Sequence, residues 1–286
     1  MSTKILVTGG NSQLAKCLRD LECNFSDFKL NYTNKAELDI TNLEQVAKYF
    51  NKNKFDWCIN CAAYTNVEKA ELEKTKAFNV NQLGVKNIAQ ACSDNNTKLI
   101  HISTDFVFDG LASIAYTEKD KSNPLNVYGL SKLKGEKELQ SILNQHFIIR
   151  TSWLYSEYGS NFLKTMLKLA ETKDTINVVS DQIGAPTYAK DLVSAIFSII
   201  TKDSREYGIY NYSNEGKTSW YNFAQTIFEI NKSSVNVIPV TSLNYPTLAE
   251  RPKFSVLDKS KFKNTFNSTI PRWEYSLKTA IQNIYG

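Results

Sequence analysis

Lys4-Ile5-Leu6-Val7-Thr8-Gly9-Gly10-Asn11-Ser12-Gln13-Leu14-Ala15 decides how this chain folds. An apolar run ends in two glycines and passes directly into a helical pattern, the order in which a parallel α/β sheet opens. Backbone N–H groups at the start of such a helix, together with its dipole, bind a pyrophosphate. Gly9, Asn11, Ser12, Gln13 and Leu14 are therefore expected to hold the phosphates of a dinucleotide. A Gly-x-x-Gly-x-x-Gly spacing would place glycines at 9, 12 and 15, but Ser12 and Ala15 stand at the last two. Ala is a mild change there. Ser12 must share space with the phosphates or donate to them, and it is also a good N-cap.

Outward from this turn, apolar runs at 4–8, 28–32, 57–63, 98–103 and 146–151 alternate with helical patterns at 12–22, 43–52, 75–94 and 127–143. That alternation predicts βαβ units in a doubly wound, Rossmann-like parallel sheet. Residues 1–150 read as a dinucleotide-binding domain. Residues 151–286 read mainly as a smaller substrate lobe, with segments near 176–213 crossing back to the first sheet. Helices are expected at 161–171, 191–200, 220–231 and 274–284, and strands at 176–179 and 208–212. The stretch holding Pro239, Pro246 and Pro252 is expected to be irregular.

The composition narrows the function. The chain has 286 residues, 42% hydrophobic and 22% charged, with a formal net charge of +5. So mild and dispersed a charge suits phosphate-bearing small molecules and gives no case for nucleic acid. The longest apolar run, near 192–200, falls far short of the ~18 residues of a membrane span. No signal-peptide pattern precedes the first strand, so the cytoplasm is the default. Cys17, Cys23, Cys58, Cys61 and Cys92 are an odd set, against a full disulfide framework. Cys58 and Cys61 match C-x-x-C, but three residues apart on a strand they face opposite ways, as a structural pair would. No cluster has metal-ligand spacing, and His101 and His146 are the only histidines. No catalytic metal is expected. Oligomeric state is left open.

The chemistry concentrates between Ser103 and Glu136. Ser103-Thr104-Asp105 closes an apolar strand, and Tyr128-Gly129-Leu130-Ser131-Lys132 begins a helix. Four apart, Tyr128 and Lys132 share a helix face. An ammonium beside a phenol lowers the phenol from about 10 toward working pH. Such a phenol hands a proton to a carbonyl oxygen, with the Thr104 hydroxyl as a second donor. This is the equipment of a carbonyl reductase that takes hydride from a nicotinamide.

These segments, with Leu38-Asp39-Ile40-Thr41, Asn60-Cys61-Ala62-Ala63-Tyr64-Thr65-Asn66-Val67-Glu68-Lys69-Ala70-Glu71, Phe106-Val107-Phe108-Asp109-Gly110, Arg150-Thr151-Ser152-Trp153-Leu154-Tyr155, Asp181-Gln182-Ile183-Gly184-Ala185-Pro186-Thr187 and Arg251-Pro252-Lys253, resemble the extended short-chain dehydrogenases/reductases in order along nearly the whole chain. The likeness is greatest to the branch that reduces nucleotide-linked keto-sugars. The resemblance implies hydride delivery to the C4 keto group of a dTDP-linked 4-keto-6-deoxy sugar. It implies Thr104, Tyr128 and Lys132 as the catalytic set, with Lys132 also bonding the nicotinamide ribose. Asp39 and Ile40 would meet the adenine end of the cofactor, and Ala62, Ala63 and Tyr64 would line its path. Thr104, Asp105 and Trp153 would touch the substrate.

Two departures carry information. Position 106 is usually Tyr in this branch and is Phe here, which removes one hydroxyl near the sugar. Related dehydratases place a Glu at this point, and Phe106 cannot do that proton work, so reduction is favoured. At the end of the second strand, Asn31-Tyr32-Thr33-Asn34-Lys35 carries no acid before Glu37. A carboxylate there would bond a ribose 2′-hydroxyl, whereas Lys35 would meet a 2′-phosphate. The expected cofactor is NADPH, with NADH the alternative. Arg251, with Lys253, is placed to clamp the substrate diphosphate or to lie on a solvated loop. Two competing readings are a catalytically silent nucleotide-binding regulatory subunit and a reductase of another nucleotide keto-sugar. The intact Thr104, Tyr128 and Lys132 argue against the first.

Overall fold

In the computed structural model, which describes residues 2–285, five strands and their crossovers come first: β1 (Thr3–Thr8), β2 (Phe28–Thr33), β3 (Trp57–Asn60), β4 (Lys98–Thr104) and β5 (His146–Thr151). After β6 (Thr175–Val179), the chain returns to this sheet as β7 (Gly208–Asn211). The order across the six-stranded sheet is β7-β5-β4-β3-β1-β2, all parallel. Interior strands buried on both faces read as unbroken apolar runs, and β3 and β5 are buried at every residue.

Helices cover both faces. On one, α1 (Gln13–Leu21) packs with Ala189–Thr201 around Ile5, Ile59, Phe147 and Ile196. On the other, α2 (Leu43–Asn53), α3 (Val67–Leu72), α4 (Gly84–Asp94) and α5 (Val127–Ile142) follow in chain order. There α2, α4 and α5 bury Val46, Phe50, Ile88 and Leu139 against Leu6, Cys58 and Ile148. Side-chain caps fix the helix starts. Ser12, Asn42, Asn66 and Asn126 each accept a backbone N–H three residues on, satisfying a donor that the first turn leaves free.

Of the later helices α6 (Phe162–Ala170), α7 (Ala189–Thr201), α8 (Trp220–Ile230), α9 (Ser260–Phe266) and α10 (Trp273–Tyr285), α7 and α9 pack on the large sheet, while the second lobe gathers α6, α8 and α10. Its own core, around Leu163, Phe223, Ile227 and Leu277, lies under the β6–β8 ribbon, where β8 is Asn236–Val240. The expected irregular stretch thus begins with a strand. Pro239 is tolerated because a two-stranded ribbon leaves an unpaired edge, where a missing N–H breaks no ladder. Residues 176–213 divide between the lobes: β6 stays in the small ribbon, while α7 and β7 join the large sheet. Helices α3 and α9 went unforeseen.

Candidate active site

The strand order reverses between β1 and β3, and a doubly wound sheet binds ligands in the crevice at such a switch point. Gly9 makes that crevice. It sits at φ 65°, and a Cβ there would lie 2.7 Å from the Ala62 nitrogen. Among the described residues, the N–H groups of Asn11, Gln13 and Leu14 have no partner in the chain, so α1 presents free donors to the crevice. Ser12 turns its hydroxyl inward to accept from the Ala15 N–H at 3.3 Å, so its side chain caps the helix.

A cavity of about 370 Å³ opens there, lined by Gly9, Asn11, Ser12, Asn34, Lys35, Asp39, Ile40, Ala62, Ala63 and Tyr64 among others. Two expected phosphate residues lie outside this lining. Leu14 is buried in the core, and the Gln13 side chain runs to the other lobe, donating to the Leu154 carbonyl and accepting from Ser156 and Asn161. Both offer the crevice only their backbone N–H. The Asp39 carboxylate accepts from the Thr41 N–H and hydroxyl, which hold it below the usual carboxylate range against burial. Glu37 folds back onto the Asn34 N–H at 2.8 Å, leaving Lys35 exposed on the rim.

Thr104, Tyr128 and Lys132 meet at the C-terminal end of β4. Helix α5 comes this close because residue 129 is Gly: a Cβ there would stand 2.1 Å from the Phe106 carbonyl oxygen. Tyr128 meets Phe106 edge-on at 5.9 Å between centroids. Lys132, buried, donates to the Ile102 carbonyl at 2.6 Å and lies 3.3 Å from His101 Nε2. Burial pushes it down to about 8, opposed by Glu136 and then Cys61.

One expectation is corrected. The Tyr128 phenol is not lowered by Lys132. Burial pushes it up to about 12, a hydrogen bond with Thr104 opposes, and the Asp105 charge adds to the rise. The Lys132 side-chain nitrogen is instead directed to the Ile102 carbonyl and the His101 ring.

Asp105 is buried behind these groups. It accepts from the Thr104 hydroxyl at 3.1 Å, its other oxygen has no partner among the described residues, and burial pushes it up to about 7 against the hydroxyls of Ser255 and Thr104.

A second cavity of about 290 Å³ lies on the far side of Phe106, between the sheet and the small lobe. Trp153 forms one wall at φ 47°, a strained backbone that persists only where packing enforces it. Its indole stacks on Trp220 at 3.5 Å between centroids. Arg251 also lines this space, bonded to Glu68 at 2.5 Å and to the Ala249 carbonyl at 3.1 Å. Lys253 is exposed and takes no part in the lining.

Phe106, Tyr128 and Lys132 thus stand between the two cavities, with Cys61 beside Lys132 on the first and Phe106 facing the second. Sequence reasoning missed Trp220, Phe162 and Tyr245 in the second cavity, because apolar residues on helices and loops carry no chemical signature. It also missed Asn60, Asn81 and His101. Asn81 holds the 62–64 loop through the Tyr64 N–H and carbonyl, and donates to Ser131 on α5.

Residues 3–285 match the family model described as RmlD substrate binding domain. The chain is 40% identical over 285 residues to a dTDP-4-dehydrorhamnose reductase of Aggregatibacter actinomycetemcomitans, covering 96% of this chain and 97% of that one. It is similar to the solved dTDP-4-dehydrorhamnose reductase of Bacillus anthracis in complex with NADP, with a TM-score of 0.96, 39% identity and coverage of 99% and 100%. The corresponding structure from Clostridium acetobutylicum gives the same TM-score of 0.96 at 38% identity, with coverage of 99% and 100%.

Proposed function

The chain belongs to the RmlD substrate-binding family, that of the dTDP-4-dehydrorhamnose reductases, and on that premise we propose that it reduces dTDP-4-dehydro-L-rhamnose to dTDP-L-rhamnose with NADPH. The observation that carries this reading is a phenol, a hydroxyl and a lysine gathered between a dinucleotide crevice and an aromatic cavity. The crevice suits the cofactor. Gly9 keeps the backbone open, the free N–H groups of α1 meet the pyrophosphate, and Asp39 and Ile40 meet the adenine end. Ala62, Ala63 and Tyr64 line the path toward Lys132, which meets the nicotinamide ribose. Bound NADPH supplies the hydride that arrives at C4.

The chain's own residues handle the oxygen. Tyr128 gives its proton to the keto oxygen as negative charge develops there, and the Thr104 hydroxyl turns from Asp105 to bond the same oxygen. Trp153, stacked on Trp220, presents a flat apolar wall to the sugar nucleotide. Arg251 reaches the diphosphate once released from Glu68. The small lobe acts as the substrate-binding unit.

Lys35 supports the choice of NADPH, because it stands exposed on the rim with the Asp39 carboxylate 3.8 Å away, and the neighbouring acid Glu37 is bonded to the Asn34 N–H. Lys35→Ala is expected to lower kcat/KM with NADPH about tenfold, the worth of one partly exposed phosphate contact, and to leave NADH nearly unchanged. Five free thiols and a reduced nicotinamide support the cytoplasm as its location. The deciding experiment supplies purified protein with dTDP-4-keto-6-deoxy-L-hexose and NADPH or NADH and follows nicotinamide absorbance. Cofactor binding without turnover on this or any related keto-sugar would instead identify a regulatory subunit.

A further inference from the structure

A row of buried polar groups runs behind Lys132, and its far end fixes the donor and acceptor roles along it. The Ala62 N–H donates to Asn60 Oδ1 at 3.2 Å, and the Thr8 hydroxyl donates to the same oxygen at 2.6 Å. The Ala62 N–H is an unambiguous donor, so the Asn60 amide cannot be flipped. Its NH2 therefore points the other way, 3.1 Å from His101 Nδ1. An NH2 offers no lone pair, so Nδ1 must be the acceptor. His101 is fully buried and held well below its ordinary value by burial first, then by Lys132 and His146. It is a neutral imidazole with a single ring proton, and that proton sits on Nε2.

Nε2 lies 3.3 Å from Lys132 Nζ, which already donates to the Ile102 carbonyl. An ammonium at this position sets donor against donor. An amine has a lone pair that accepts the Nε2 proton. Every polar atom from Thr8 through Asn60 and His101 to Lys132 is then satisfied, and a buried polar mismatch of this kind is expensive.

We infer that His101 is a positioning residue which, by aiming its Nε2 proton at Lys132, favours the amine over the ammonium and sets the pH at which Lys132 exchanges its proton. The consequence for turnover rests on the reductase reading above; the tautomer and the lysine equilibrium do not. The other groups facing the pair act in both directions. Glu136 on α5 and Cys61 after β3 favour the charged lysine, while burial favours the amine. The Glu136 carboxylate is shared with Arg150 at 2.7 Å and Ser103 at 2.5 Å, which leaves less of its charge for Lys132. His146 faces His101 from β5.

Nuclear magnetic resonance of the full chain, free of cofactor, tests this directly. Ring nitrogen shifts in ¹⁵N-histidine-labelled protein are expected to show Nε2 protonated and Nδ1 bare at neutral pH. The side-chain resonance of Lys132 in lysine-labelled protein, assigned with Lys132→Arg, is expected to titrate at least tenfold more basic in proton affinity in His101→Phe and in His101→Gln. Phe preserves the ring volume without a nitrogen, and Gln can turn a carbonyl toward the lysine. The pH profile of kcat/KM should move in the same direction. A proton on Nδ1, an imidazolium at neutral pH, or a Lys132 midpoint unmoved in the folded variants would overturn the inference. Should neither variant fold, the wild-type tautomer decides alone. Were both resonance results as expected while no keto-sugar is turned over, the functional reading would fail and this one would stand.

Discussion

A phenol that must release a proton gains nothing from burial, yet Tyr128 is pushed up to about 12 and the lysine one turn away does not oppose this. This is compatible with the acid role proposed for it in ketone reduction, because a proton is needed only as charge develops on the oxygen. Tyr128→Phe is expected to lower kcat by about 10²–10⁴-fold. NADPH binding, followed by quenching of tryptophan fluorescence, should stay within a few-fold; intact turnover would remove Tyr128 from the chemistry. Asp105 makes a separate demand. Its folded value is raised to about 7 from 3.8, so the folded state holds a proton that the unfolded state has lost between those values. Stability therefore falls as pH rises through that window, by a few kcal/mol at about 1.4 per unit, and is level above it. Asp105→Asn removes the slope. Urea melts at pH 5 and pH 8 should show the variant gaining on wild type by roughly 2–3 kcal/mol, and an equal offset at both would refute the buried carboxyl. At this scale the sequence pointed to groups that the fold brings together, since Tyr128 and Lys132 need only a four-residue spacing. It did not show their charge states, because the partners of Lys132, the Ile102 carbonyl and His101, arrive from another strand.

The helix expected without a break over 75–94 is in fact interrupted. A short helix, Lys74–Phe78, gives way to a π-helical turn, Asn79–Leu83, before α4 begins. The wider turn faces Asn81 inward, and such turns gather at functional sites. Fully buried, Asn81 bonds the Tyr64 N–H at 2.8 Å, the Tyr64 carbonyl at 2.9 Å and the Ser131 hydroxyl at 2.9 Å. It thereby ties the crevice wall to the helix that carries Tyr128 and Lys132. Apolar periodicity reports which face is buried and says nothing of a single residue added to one turn, so the interruption was illegible. Asn81→Ala would leave two backbone groups of Tyr64 unpaired, a loss of about 2–4 kcal/mol. The expected signature is a lower midpoint in urea together with weaker NADPH binding, as the 62–64 wall loosens. A variant that melts normally and binds cofactor normally would make the π turn incidental.

Across the whole molecule, the sequence suggested a division near residue 150, and the connections show how far the later segments return. The sheet is completed by β7 from beyond that point, and its α1 face is closed by α7 and by Phe262, Phe266 and Ile270. Strand–helix alternation was legible because each unit is local. The return was harder to read, because α9 is short and its two phenylalanines look like any loop aromatics until the sheet they cover is present. At ~1.5–3 kcal/mol per buried side chain, those three residues together contribute roughly 5–9 kcal/mol to the core of the first lobe. That is comparable with the whole stability of a typical domain, about 5–15 kcal/mol. The large lobe is therefore expected to need the C-terminal third, and Gln13 ties the small lobe to it through Leu154, Ser156 and Asn161. Calorimetry of the full chain should show one transition whose van't Hoff and calorimetric enthalpies agree. A chain cut after Asp203 keeps the whole phosphate turn, the 62–64 wall and the Thr104, Tyr128 and Lys132 set, yet it should fail to give a cooperative melt or to bind NADPH. Two resolved transitions, or a folded and cofactor-binding fragment, would show instead that the lobes are independent and that the late aromatics merely decorate a core already complete.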